Sequence, residues 1–116
     1  MLTIFGSTAL DTIRTPTKVL KDVLGGAATF AGISASFFVK PRLIAVVGRD
    51  FPKKYHKILA ERLDLKGLSI KDGKTFRYSG SYDNTLSLRT TLRTDLNVLK
   101  NFKPVVPEDY KKSKFV

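Results

Sequence analysis

Two short stretches carry residues of the types and spacing that ligand chemistry needs. The first is Asp11. It follows a short apolar run, Leu2-Thr3-Ile4-Phe5, from which Gly6 to Leu10 separates it. Such a run, rich in β-prone residues and stopped by glycine, reads as a buried strand. Asp11 then lies just past the C-terminal end of a parallel strand, where open α/β sheets bind ligands. On position alone it is either a ligand-facing carboxylate or a turn residue. The second stretch is Leu24-Gly25-Gly26-Ala27-Ala28-Thr29-Phe30-Ala31-Gly32. Here a glycine pair breaks an extended run and opens a helix of small residues. Glycine admits positive φ and close approach to the main chain. A helix starting there directs its unpaired N–H groups at whatever lies above it. The same pair also serves many helix entries with no ligand at all.

Other reactive chemistry is sparse. His56 is the only histidine and there is no cysteine, so thiolate metal sites, disulfides and a nucleophile-activating pair are excluded. No catalytic residue and no metal ligand is assigned in the chain.

The elements that must position Asp11 and the glycines follow from patterning. Thr12-Ile13-Arg14 and Lys18–Leu24 read as extended, with Pro16 between them, in a partly exposed sheet off the main body. A helix is expected over Ala27–Phe38. Phe30, Ile33 and Phe37 lie on one face of it, and small Ala27, Ala31 and Ser34 on another allow close approach to a sheet. Leu43–Val47 is apolar without alternation, as in a parallel strand covered on both faces. Asp50 is expected to cap a helix with Pro52 in its first turn, running to about Leu63 with Tyr55, Ile58 and Leu59 inward and His56 solvated. Leu68-Ser69-Ile70 reads as a short strand and Asp72-Gly73 as a turn. Thr75–Tyr82 reads as an antiparallel-type strand with Phe76, Tyr78 and Tyr82 on one face and Arg77 on the other. Leu86, Leu88, Leu92 and Leu96 are expected to anchor the Thr-rich segment that follows. Pro107–Tyr110 is expected to form one helical turn, and Lys114-Phe115-Val116 to enter another strand. A β-α-β-α order that ends entering a strand reads as the first part of a longer α/β protein.

Composition bounds the rest. The chain has 116 residues, 42% hydrophobic and 27% charged, enough for one small core and one domain. The net charge of +11 invites an anionic partner, but the 21 Lys and Arg are spread from Arg14 to Lys114 without a basic arm, which disfavours nucleic acid. The N-terminus lacks the basic start and apolar core of a signal peptide, and no apolar run spans a membrane. With no cysteine, a cytoplasmic location is the expectation and no membrane partner is expected.

In order and spacing, three segments resemble the N-terminal part of ribokinase-like (PfkB) carbohydrate and nucleoside kinases. They are Gly6-Ser7 with Asp11, Leu24-Gly25-Gly26-Ala27-Ala28-Thr29, and Val46-Val47-Gly48-Arg49-Asp50-Phe51. Gly73–Tyr78 followed by Leu96-Asn97-Val98 is similar to one branch of that family. The resemblance covers essentially the whole chain, 1–116. It implies a three-layer α/β/α body with a small β lid, the lid strands lying near 12–24 and 74–92. It implies transfer of the γ-phosphoryl group of ATP, with Mg, to a hydroxyl of a sugar or nucleoside acceptor. Asp11 would accept hydrogen bonds from acceptor hydroxyls, work that suits a strong, acceptor-only group. Gly25, Gly26, Thr29 and Phe30 would complete the acceptor site, and Phe76, Arg77 and Tyr78 the lid, whose closure excludes water.

Two departures stand out. Phe30 and Ala9 occupy positions where the family usually has asparagine, which removes hydrogen bonds to a polyol and favours a flatter, partly aromatic acceptor. The family's glycine-alanine-glycine-aspartate segment, which carries the catalytic base beside the ATP site, has no counterpart here. The fragment alone is therefore expected to be inactive, and to form a homo-oligomer or associate with the remaining ATP-binding part. The alternative is a small basic binding protein without catalysis, its partner a protein or a nucleic acid.

Overall fold

The computed structural model describes residues 1–116. It contains two sheets. The first is parallel, in the order β1 (Thr3–Phe5), β4 (Arg42–Gly48), β5 (Asp64–Lys71), and every residue of β4 is buried. The unbroken apolar run Leu43–Val47 thus becomes the central strand, as its lack of alternation predicts. Helices α1 (Ala27–Ala35) and α2 (Lys53–Arg62) precede β4 and β5 and touch each other. Two successive right-handed crossovers in one direction put both helices on one face of the sheet. Their contact with it is the core: Ala28, Leu43, Ala45, Leu59 and Leu63, with Ile4, Leu24 and Ile33 packed against them. Burying each leucine there stabilises the fold by about 1.5–3 kcal/mol. The opposite face carries Thr3, Phe5 and Ile44 beneath the segment that follows Phe102.

The second sheet stands off the first, in the order β3 (Val19–Gly25), β2 (Ala9–Arg14), β6 (Phe76–Tyr82), β7 (Arg89–Asp95). β2 and β3 form an antiparallel hairpin, β2 and β6 pair in parallel, and β6 and β7 pair antiparallel. The chain enters this sheet directly from β1 through Gly6-Ser7-Thr8 and leaves it at Gly25 straight into α1.

Several expectations are corrected. Asp11 is not in a turn past β1 but in the middle of β2, beside a bulge between Asp11 and Ile13. Helix α1 ends at Ala35 rather than Phe38; its inward face is Ala28, Thr29 and Gly32, while Phe30, Ala31 and Ser34 are exposed, as is Phe37 beyond its end. The reason is distance. A Cβ on Gly32 would already stand 3.1 Å from Leu63 Cδ1, so α1 lies too close to α2 for the bulky face. In α2, Leu59 is buried but Ile58 points outward. β5 is longer than the expected short strand and pairs along β4. Leu86, Leu88, Leu92 and Leu96 are exposed and anchor nothing.

Near the C-terminus, Glu108–Lys112 forms a single 3-10 turn anchored by Tyr110, whose hydroxyl lies 2.8 Å from the Asp64 carbonyl oxygen and accepts from Gly67 N–H at 3.2 Å. Phe115 bridges Leu2 in parallel fashion on the free side of β1. No helix is long and apolar enough to cross a membrane.

Candidate functional site

The elements meet where β1 hands over to β2 and β3 hands over to α1. Gly26 has φ 103°, a conformation that costs an L side chain dearly, and a Cβ there would lie 2.4 Å from the Ser7 carbonyl oxygen. That closeness is used. Ala28 N–H donates to the Ser7 carbonyl at 2.9 Å, and Ala27 N–H to Ser7 Oγ at 3.1 Å. The first N–H groups of α1 are therefore spent within the protein, and the expectation that they face a ligand is corrected. Ser7 caps the helix from a distant loop, a role that no local signal in the sequence marks.

Gly25 has another function. Ala9 pairs with Gly25 and Asp11 with Val23, so Asp11 and Gly25 share one face of the hairpin. A Cβ on Gly25 would lie 2.1 Å from Asp11 Oδ2. The missing side chain is the space that the carboxylate occupies. Asp11 Oδ1 is buried and has no hydrogen-bond partner, and burial raises the pKa of the group above its ordinary value. A half-buried carboxylate with an idle oxygen is an acceptor waiting for donors.

That carboxylate faces a cavity of about 310 Å³ between the start of α1 and the four-stranded sheet. Its walls include Ile13, Gly26 and Phe30 on one side and Phe76, Tyr78 and Tyr82 on the other. The alternation along β6 brings its three aromatic residues to this face. Arg89 lies at the rim with its guanidinium 5.5 Å from the Tyr78 ring centroid, a residue the sequence reading did not single out. Phe30 is 58% exposed, a flat apolar surface at the mouth.

Three residues of the expected site do not line this cavity, the first being Gly25, which stands behind the Asp11 carboxylate. Thr29 is fully buried under α1 and donates to Thr8 Oγ1 at 3.3 Å. Arg77 lies on the opposite face of β6, where it pairs with Asp22 and, at 3.0 Å, with Asp50. Asp50 is not the cap of α2, whose N-cap position is Pro52. Its Oδ1 accepts from Thr75 N–H at 2.8 Å and Thr75 Oγ–H at 2.7 Å. Burial pushes the Asp50 carboxyl upward, but these bonds and Arg77 outweigh it and hold the group below its ordinary range.

A larger cavity, about 650 Å³, is lined by Lys71–Lys74, Asn97, Val98, Asn101, Phe102 and Lys103. Its one carboxylate, Asp72, is exposed and paired with Arg49. It has neither the idle buried acceptor nor the aromatic walls, so the smaller cavity is the candidate site.

No protein-family model matches the chain. A cytidine kinase of Thermococcus kodakarensis is 29% identical over 111 residues, which cover 94% of this chain and 39% of that protein. The nucleoside kinase of Methanocaldococcus jannaschii, described as an archaeal member of the ribokinase family, superposes with a TM-score of 0.66 at 23% identity. It covers 85% of this chain and 38% of its own. A Burkholderia thailandensis nucleoside kinase in complex with inosine superposes with a TM-score of 0.71 at 16% identity, over 84% of this chain and 35% of its own. A Cryptococcus neoformans ribokinase in complex with ADP gives 0.71 at 16%, over 83% and 34%. The chain thus has the α/β fold of ribokinase-family kinases. It resembles their N-terminal part, spanning about two fifths of the length of the curated relative it matches.

Proposed function

We infer that the chain is the acceptor-binding part of an ATP-dependent kinase that phosphorylates a hydroxyl of a nucleoside. The observation that carries this reading is the pairing of an idle, half-buried carboxylate with aromatic walls in one cavity. Asp11 accepts hydrogen bonds from two acceptor hydroxyls and so orients the ring that presents the nucleophile. Phe30, Phe76 and Tyr78 offer faces to a flat base, a contact worth about 0.5–1.5 kcal/mol beyond the area it buries. A free sugar would use Asp11 and leave these walls idle, and Phe30 and Ala9 give a polyol nothing to bond. Gly25 makes room for the carboxylate, and Gly26 brings the start of α1 to the cavity. The four-stranded sheet, β2, β3, β6 and β7, serves as a lid that excludes water from the transfer.

No residue of this chain is assigned to the ATP and Mg that the kinase reading implies. No group of three His, Cys, Asp or Glu side chains stands close enough to hold a metal ion. There is also no glycine-rich loop of the Lys-Ser/Thr form to cradle phosphates. Asp11, engaged with the acceptor, is not assigned the catalytic base. Apolar residues of β1 and of the last segment, Phe5, Val106 and Val116, are exposed at one side of the parallel sheet. They support association with a further part or a second copy. Light scattering that shows only a monomer, with no binding of a hydrophobic dye, contradicts that association.

Calorimetric titration of the chain with cytidine, inosine, free ribose and a 2′,3′-dideoxynucleoside tests the acceptor reading. The nucleosides should bind at least about tenfold more tightly than ribose, as 1.4 kcal/mol of base contact requires. The dideoxy analogue should lose at least as much. Equal affinity for ribose and nucleoside, or no loss on removing the hydroxyls, overturns it.

A further inference from the structure

The face of β6 that looks away from the cavity holds a set of polar contacts that the acceptor reading does not use. β6 is entered through Thr75, which is fully buried. Gly48 N–H donates to Thr75 Oγ1 at 2.9 Å, and the Thr75 amide and hydroxyl both donate to Asp50 Oδ1. The turn Gly48-Arg49-Asp50, at the C-terminal end of the central strand, therefore grips the residue that leads into β6 of the standing sheet. A Cβ on Gly48 would fall 2.2 Å from the Gly73 carbonyl oxygen, so only glycine permits the two backbones to lie this close.

Two residues further along β6, Arg77 completes the connection. One guanidinium nitrogen lies 3.0 Å from Asp50 Oδ2 in the body, and the other donates to Asp22 of β3. Asp22 sits at φ 54°, and its carbonyl accepts the Tyr55 hydroxyl of α2 at 2.7 Å. The Asp50 carboxylate is thus held from behind by Thr75, and the Asp22 backbone by Tyr55. The Arg77 and Asp50 side chains are only 31% and 27% exposed, so the pair is partly shielded from water and salt. A planar fork can serve two carboxylates at once, which a lysine ammonium does poorly. Phe76 and Tyr78, the neighbours of Arg77 on either side, point into the cavity.

We propose that Arg77 is a two-sided latch: by joining Asp50 of the body to Asp22 of the sheet, it sets the angle between the four-stranded sheet and the parallel sheet. Through that angle it positions Phe76 and Tyr78 over Asp11. The second statement rests on the acceptor reading above; the first does not. Arg77 is a positioning residue and touches no acceptor.

The chain has no cysteine, so a clean pair of labels can be introduced. Exposed Thr90 on β7 and exposed Lys57 on α2 become T90C and K57C, carry nitroxides, and report the sheet-to-body distance by double electron–electron resonance. The labelled chain is compared with the same chain carrying Asp50→Asn, Arg77→Lys or Asp22→Asn. Asp50→Asn keeps an oxygen for Thr75 and removes only the charge that Arg77 reads. The parent should give one narrow distance distribution. Asp50→Asn and Arg77→Lys should at least double its width or add a second maximum, with the far-UV circular dichroism unchanged. Asp22→Asn should widen it less, since Asp22 keeps its Tyr55 contact through the backbone. If Asp50→Asn does not fold, Arg77→Lys decides alone. Unchanged width and mean distance in Arg77→Lys overturns the latch. Cytidine titration of the same proteins separates the two claims. A tenfold loss of affinity in Asp50→Asn, which touches no cavity atom, supports the positioning role. A parent that shows the narrow distribution yet binds no cytidine removes the acceptor reading and leaves the latch standing.

Discussion

Replacing Gly25 by alanine should disable the candidate site while sparing the fold. Gly25 ends β3, and its φ is not in the left-handed region, so an alanine backbone is accepted there. The added Cβ meets Asp11 alone among its nearest neighbours: Oδ2 at 2.1 Å, Cγ at 2.5 Å and Oδ1 at 2.9 Å. Comfortable contact begins near about 3.5 Å. The carboxylate must therefore retreat by more than about 1 Å, and a misplacement of that size costs on the order of 100-fold where geometry matters. The expected loss of nucleoside affinity is about 2.8 kcal/mol at about 1.4 kcal/mol per decade. Stability should change little, because alanine at a compatible position gains about 0.4–1 kcal/mol through the unfolded chain and offsets part of the local strain. Calorimetry with cytidine gives the affinity, and a circular-dichroism melt gives the stability. A double-mutant cycle isolates the cause. In an Asp11→Ala background, Gly25→Ala should have no further effect on affinity, since the group it displaces is gone. Wild-type affinity in Gly25→Ala, or additive losses in the double mutant, refutes the reasoning.

Three further outcomes follow from the same structure. The folded-state pKa of Asp11 lies above its ordinary value, so its ionised form is a burden on the fold at neutral pH that is relieved as pH falls through that pKa. Asp11→Asn should therefore raise stability more at neutral pH than in acid, while abolishing tight acceptor binding; equal gains in melts at both pH values contradict this. Tyr110→Phe should cost about 1–3 kcal/mol in urea unfolding, because it strands the buried partners of the hydroxyl. The Tyr110 hydroxyl is pushed up to about 12 by burial and by Asp64, so wild-type stability should fall as pH rises from about 10 towards 12, and Tyr110→Phe should lose that dependence. The 116-residue chain mixed with ATP, Mg and cytidine should form no phosphorylated product, since the candidate site assigns it no group that stabilises a transferring phosphoryl; ADP formation above a no-protein control contradicts this.

The parallel sheet was legible because a buried central strand has an unmistakable composition: Leu43–Val47 can be little else. The glycine pair was legible as a helix entry, and the odd-even pattern of β6 placed Phe76, Tyr78 and Tyr82 together. What could not be read was set by distances between segments. Gly6 looked like the end of a strand and the start of a loop, yet it is a hinge into a second sheet. Ala9 and Leu10, buried at the start of β2, gave too short an apolar pair to announce a strand. The inward face of α1 differs from the one hydrophobicity points to, Phe30 and Phe37, because the close approach of Gly6 selects Ala28 and that of Leu63 selects Gly32. Asp50 before Pro52 has the local signature of a helix cap, and a tertiary partner, Thr75, took it instead.

The central claim is that a nucleoside occupies the cavity beside Asp11, and backbone amide NMR of the labelled chain titrated with cytidine tests it most directly. The account predicts saturable shifts at Asp11, Ile13, Gly25, Gly26, Phe30 and Tyr78, lost in Asp11→Ala. Shifts confined to the lysine-lined cavity around Lys71–Lys74 and Lys103, or shifts that persist unchanged in Asp11→Ala, would contradict it.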